Sequence, residues 1–189
     1  KASLERLQTT YLDLYLLHAP NAVIPIKETM RAMACLRDLN LIKNIGVSNF
    51  HHKQIEEAQT YSDYPIVNNQ INYSLSAREW DDIGTVDFCE QNNILVTAYR
   101  PLSKGDFAGN GNDLLNRVSA KYHKTPAQIA LNWVISKSNA VTLVKSSDPR
   151  HLEEDLGAIG WQMNAEDIQM LNNDFPRGEM SWGPTHARP

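Results

Sequence analysis

Short apolar runs alternate with longer amphipathic runs five times along this 189-residue chain, and that alternation narrows the sheet it can form. Residues 12–18 (LDLYLLH), 44–48, 66–71, 94–99 (ILVTAY) and 141–145 (VTLVK) read as strands. Between them, 26–41, 51–61, 79–92, 113–123 and 126–138 carry apolar residues at helical spacing. In the first of these, Ile26, Met30, Met33, Ala34 and Leu41 mark the buried stripe. Helices that separate strands imply parallel pairing with right-handed crossovers. Helix starts are written in the sequence as well. Thr125, Pro126 and Gln128 form a capping box with proline at the first helical position, Asp148 precedes Pro149, and Asn164 precedes an acidic Asp167. Residues 1–8 also read as helical. The tail 176–189, with three prolines and two glycines, reads as irregular, so 1–175 is expected to hold the folded unit.

Two architectures fit a run of strand–helix units. One is an open, doubly wound sheet; the other is part of a (β/α)8 TIM barrel. A whole barrel takes about 250 residues, so five of its eight units take about 160. The length fits a partial barrel of about five β/α units, lacking the first three. It also fits a complete open sheet. The strand ends favour the barrel. They carry His18, Ser48-Asn49, Gln70, Tyr99 and Lys145-Ser146 after apolar stretches. A barrel brings all such ends to one mouth, where barrel enzymes place their sites, whereas an open sheet leaves some far apart.

Composition excludes some functions. A formal net charge of -4, with both signs scattered, gives no general reason to bind nucleic acid or an anionic membrane. No apolar run reaches the roughly 18 residues of a membrane span, and no signal-peptide pattern is present. Cys35 and Cys89 fall in amphipathic helical patterns and read as core thiols in a reducing compartment, hence a cytoplasmic location. The chain starts on Lys1 rather than methionine and reads as a fragment of a larger protein.

Six blocks resemble successive blocks of the aldo-keto reductases, in that family's order: TYLDLYLLHAP (10–20), IKNIGVSNF (42–50), VNNQINYS (67–74), VTAYRPLSKG (96–105), TPAQIALNWVI (125–135) and LVKSSDPRHLEED (143–155). The resemblance implies a TIM barrel oxidoreductase that uses NADP(H), less often NAD(H), to interconvert carbonyls (aldehydes or ketones) and alcohols. His18 matches the family's catalytic-site histidine, whose ring N–H can polarise a substrate carbonyl. Ser48, Asn49 and Gln70 match the residues that hold the nicotinamide carboxamide; amide side chains supply both donors and acceptors. Without the resemblance, Ser48-Asn49 reads as a helix cap for the run that follows. Tyr99 matches the aromatic that stacks on the nicotinamide. Arg100, Leu102 and Ser103 match the loop along the pyrophosphate.

Lys145 and Ser146 match the residues that meet the 2′-phosphate or ribose. The family commonly places an arginine five residues after that serine. Here His151 stands there, with Arg150 just before it, which weakens the expected preference for NADP over NAD. Glu154 and Asp155 match the acidic and amide pair near the adenine. No metal ligands are assigned, and the expected partner is a small carbonyl or alcohol.

The family's catalytic aspartate, tyrosine and lysine precede the block that opens this chain, and Tyr11 and Tyr15 do not match them. The chain is therefore expected to be inactive alone. An arc with two open edges is also expected to be unstable or to aggregate by itself. Readings from other classes are a cofactor-binding regulatory subunit and a truncated, non-catalytic interaction protein. Trp80, Trp182 and His186 are candidate substrate-pocket residues. Oligomeric state is not legible.

Overall fold

The computed structural model describes residues 2–105, 107 and 112–178. Five strands form one sheet: β1 (Leu12–Leu17), β2 (Ile42–Ser48), β3 (Ile66–Asn72), β4 (Leu95–Tyr99) and β5 (Ala140–Leu143). Each runs parallel to the next, in the order β1-β2-β3-β4-β5. That order decides between the two architectures. A doubly wound sheet reverses its strand order at a switch point; this sheet follows the chain without reversal, as a barrel wall does.

Helix α1 (Ala2–Leu7) precedes β1. The crossovers carry α2 (Ile26–Asp38), α3 (His52–Gln59), α4 (Glu79–Asp82) with α5 (Thr85–Gln91), and α6 (Asp113–Tyr122) with α7 (Pro126–Ile135); α8 (Pro149–Leu156) and α9 (Ala165–Asp174) follow β5. The single helix expected over 79–92 is two, because Gly84 adopts a left-handed φ of 72° and turns the chain between them. The first crossover helix ends at Asp38 rather than 41; Asn40, at φ 54°, redirects the chain into β2. The outer sheet face buries Ile45, Val47, Ile71, Val96 and Ala98 beneath Met30, Ile55, Cys89, Ile129 and Val134 from the helices. The expected tail over 176–189 has no helix or strand at 176–178, and 179–189, including Trp182 and His186, lie outside the described residues.

The inner face is layered by register. Leu16, Gly46, Asn68 and Leu95 align across four strands, and Ser48, Gln70, Thr97 and Val141 align one layer nearer the mouth. Gly46 keeps the first layer close: a Cβ there would sit 2.3 Å from Leu16 Cδ2 and 3.1 Å from the Asn68 carbonyl, so Leu16 would have to move aside. Leu14, Leu95, Val141 and Leu143 stay more than a third exposed. So does an apolar stripe of Leu152, Leu156 and Ile159 on and beyond α8, which buries no residue. With β1 and β5 each paired on one side only, the arc leaves apolar surface and strand edges uncovered at both ends.

Cys89 is buried, and burial pushes its thiol up to about 12 against a weaker opposing hydrogen bond with Asn69. Cys35 is exposed, contrary to the core reading. Met33 faces the sheet, and two residues further is about 200° around the helix. Among the described residues, no helix is long and apolar enough to cross a membrane.

Buried polar contacts fix both ends of the C-terminal helix. Arg78, 4% exposed, donates to the carbonyls of Leu171, Asn172 and Phe175; Leu171 also accepts from the Phe175 N–H, while the other two lie where an isolated helix end leaves carbonyls without partners. At the other end, Asp167 is buried, and burial alone would raise its pKa; hydrogen bonds from Lys121 and Tyr122 outweigh that and hold it below the ordinary value. Because the folded-state pKa is the lower one, this contact stabilises the fold above the ordinary aspartate range. Its contribution is lost as pH falls through the depressed value. Asp167→Asn should therefore flatten the acid limb of a plot of melting temperature against pH; an unchanged limb would refute the assignment.

Candidate active site

The strand ends meet as the sequence reading expected, and Asn49 ties them together. It follows β2 with a φ of 60°, a left-handed conformation that asparagine tolerates better than most residues. Its backbone N–H donates to the Gln70 carbonyl at 2.9 Å, reaching β3. Its side-chain Nδ2 donates to the His18 carbonyl at 3.2 Å, just beyond β1, and to Ser48 Oγ at 3.1 Å. Its Oδ1 accepts from the Tyr99 hydroxyl at 2.9 Å, at the end of β4. Ser48 Oγ in turn donates to the Gln70 carbonyl at 2.8 Å. Neither residue caps α3. That role falls to His51, whose Nδ1 accepts from the Gln54 N–H while Gln54 Oε1 accepts from the His51 N–H. Ser48 and Asn49 are left to organise the mouth.

His18, Ser48, Asn49, Gln70, Tyr99 and Arg100 line a cavity of about 250 Å³. Burial raises the Tyr99 phenol above its usual value, with Arg100 opposing, so the hydroxyl stays protonated and donates to Asn49. Arg100, at φ 55°, turns the chain out of β4 and also lines a second cavity of about 410 Å³. That cavity takes in Leu102, Lys145, Ser146, His151, Glu154 and Asp155. Lys145 and Ser146 follow the end of β5, and α8 supplies the last three. Burial and the adjacent Glu154 push the Asp155 carboxyl up, while His151 pulls it down. Ser146 Oγ accepts from the Asp148 N–H at 3.0 Å and lies 3.5 Å from His151 Nδ1. The mouth is therefore two adjoining cavities that share Arg100.

Two expected residues do not line it. Arg150 points away and holds Asp148, the N-cap of α8, in a two-pronged ion pair with a closest approach of 2.7 Å. Ser103 turns its hydroxyl to Ser74 and Ser76, two residues the sequence reading missed. Trp80 is 1% exposed and belongs to the core, so it forms no substrate wall. A larger cavity of about 610 Å³ lies between α7 and α9, but no titratable side chain lines it.

The sequence model of the Aldo/keto reductase family matches residues 1–173. The chain belongs to that family. It is 31% identical to the methylglyoxal reductase YeaE of Escherichia coli over 182 residues, covering 93% of this chain and 63% of the relative. An uncharacterized oxidoreductase of Caenorhabditis elegans, ZK1290.5, is 32% identical; the match covers 92% of this chain and 54% of that one. Among solved structures, the thermostable aldo-keto reductase Tm1743, bound to the inhibitor epalrestat, superposes with a TM-score of 0.86 at 36% identity, over 90% of this chain and 62% of its own. An aldo/keto reductase of Klebsiella pneumoniae in complex with NADP and acetate gives 0.80 at 30% identity, over 94% and 64%. The chain thus spans between about half and two-thirds of the length of these aldo-keto reductases, and its five-stranded arc corresponds to part of their barrel.

Proposed function

We propose that residues 1–189 supply most of the coenzyme site and the active-site histidine of an NAD(P)H-dependent reductase of aldehydes or ketones. The observation that carries this is the pair of adjoining cavities. One is lined by amides, a hydroxyl and an aromatic ring; the other is lined by Lys145 and Ser146 and by His151, Glu154 and Asp155 of α8. The first suits a carboxamide-bearing ring, since the Gln70 amide supplies a donor and an acceptor, Asn49 Oδ1 keeps a second acceptor lone pair beside the Tyr99 bond, and Tyr99 supplies a face for stacking. The second suits a phosphorylated ribose, with Lys145 as the cation. NADP(H) would supply the hydride. His18, at the edge of the first cavity, would donate a hydrogen bond to the substrate carbonyl and orient it.

No residue of 1–189 matches the family's catalytic aspartate, tyrosine and lysine. The proton donor would therefore come from a part of the protein outside these residues, and 1–189 alone would not turn over. Free Cys35 and Cys89 are in keeping with a reducing compartment such as the cytoplasm.

His151 occupies the place where an arginine is common, and a neutral imidazole attracts a phosphate dianion less strongly than a guanidinium does. Arg150 is engaged by Asp148, which leaves Lys145 as the principal phosphate contact. Fluorescence titration of the full-length protein should show tighter binding of NADPH than of NADH; a clear preference for NADH would overturn the Lys145 assignment. Tyr99→Ala should weaken NADPH binding by about 1–3 kcal/mol. Tyr99→Phe, which keeps the ring but loses the Asn49 bond, should cost less. Unchanged affinity in the alanine variant would remove Tyr99 from the site.

A further inference from the structure

Three serine hydroxyls from two different loops meet beside the mouth. Ser103 Oγ lies 2.7 Å from Ser76 Oγ and 3.0 Å from Ser74 Oγ, and the last two are 3.3 Å apart. Ser74 is fully buried, and its Oγ also accepts from the Ala77 N–H at 3.1 Å. Each hydroxyl has one proton to give, so a closed ring of three uses every donor internally. Ser103 is therefore oriented as an anchor, with its hydroxyl directed into the protein rather than toward the coenzyme cavity.

The loop it anchors is one that needs fixing. Within six residues the backbone is left-handed at Arg100 (φ 55°), Ser103 (φ 46°) and Gly105 (φ 101°). The first two are not glycine, and such conformations cost on the order of 1–2 kcal/mol each in L-residues. The loop's own turns are short: Ser103 N–H donates to the Arg100 carbonyl at 3.0 Å and Gly105 N–H to the Leu102 carbonyl at 2.8 Å. Residues on both sides of Ser103, namely Arg100, Leu102 and Gly105, line the second cavity. The segment that holds Ser103 is itself braced, since Ser74 and Ala77 exchange backbone hydrogen bonds and the Ser76 carbonyl accepts from the Gly178 N–H at 3.1 Å.

We propose that Ser74 and Ser76 are positioning residues for the coenzyme, acting through Ser103 to hold the Arg100–Gly105 loop in its binding conformation. This rests on the coenzyme reading given above. The cluster touches the loop between the two cavities and not the Lys145–Asp155 wall. Its removal should loosen the grip on the middle of the dinucleotide more than the grip on the adenosine end, which the facing Lys145–Asp155 wall still holds.

The test compares two ligands in the full-length protein: NADPH, which spans both cavities, and adenosine 2′,5′-bisphosphate, which carries only the phosphorylated adenosine end. Ser76→Ala and Ser103→Ala should each weaken NADPH binding about three- to tenfold, the scale of one or two lost hydrogen bonds. NADPH should be released faster in a stopped-flow chase. Affinity for the bisphosphate should fall much less, and Ser76→Thr, which keeps the hydroxyl, should restore NADPH binding. Equal losses for both ligands would mean a general disturbance and would overturn the latch. So would unchanged NADPH affinity in both alanine variants. Failure of the unaltered protein to bind either ligand would instead overturn the coenzyme site itself, and the latch with it.

Discussion

Replacing His18 by alanine in the full-length protein is expected to lower kcat by about 10²–10³-fold, the usual cost of removing one preorganised donor to a reacting carbonyl. NADPH affinity should hardly change. The reason is local: His18 is tied to the site through its backbone carbonyl, which accepts from Asn49 Nδ2, and that bond survives truncation of the side chain. The variant therefore separates chemistry from the scaffold that binds coenzyme. Steady-state kinetics paired with fluorescence titration would show it. A kcat close to that of the unaltered protein would remove His18 from the reaction, and a parallel loss of coenzyme affinity would reassign it to binding.

The largest effect on stability is expected at Trp133. This side chain is 1% exposed and stacks on Tyr73 at a ring separation of 5.3 Å. Its Nε1 donates to Asn172 Oδ1 at 2.8 Å, joining α7 to α9. Tyr73 in turn donates to Asp81 at 2.7 Å and immediately precedes the serine cluster. Trp133→Ala opens a large cavity and strips Asn172 of a partner, so it should cost about 3–5 kcal/mol. Urea unfolding would report this as a shift in midpoint, with Trp133→Phe falling between. A loss below about 1 kcal/mol would show that the site collapses around the gap.

The strand–helix alternation was legible because burial imposes periodicity. Each strand was placed to within two residues from its apolar run, although β1 stops at Leu17 rather than 18 and β5 at Leu143 rather than 145; three helix starts (Thr125, Asp148 and Asn164) followed from their capping chemistry, which the structure shows. Fine boundaries were less legible. Nothing in the apolar pattern of 79–92 shows that Gly84 takes a left-handed turn, and Cys35 has the hydrophobicity of a core residue without the phase of one. The mouth residues His18, Ser48, Asn49, Gln70 and Tyr99 were read correctly as neighbours, and the structure brings them to one cavity. What could not be read was orientation. Arg150 and His151 are adjacent, and only the helix decides which of them faces the cavity. Nor does any spacing rule bring residue 103 to residues 74 and 76, or mark Arg78 as a buried cap for a helix nearly a hundred positions later. Such contacts depend on which loops the curved sheet sets side by side.

The unreversed strand order has a consequence for how the mouth is assembled. Every pairing joins segments one crossover apart: Leu12 faces Ile42, Asn68 faces Leu95 and Val96 faces Ala140. Each pairing closes one crossover rather than the whole chain, and closure cost grows with loop length, so the sheet can lengthen one strand at a time during synthesis, always at its newest edge. The mouth is then built in the same order. The pocket around Asn49 is complete once β4 has docked, whereas the wall carrying Lys145 waits for β5. A nascent chain would pass through a stage that has the pocket around Asn49 and not yet the wall carrying Lys145.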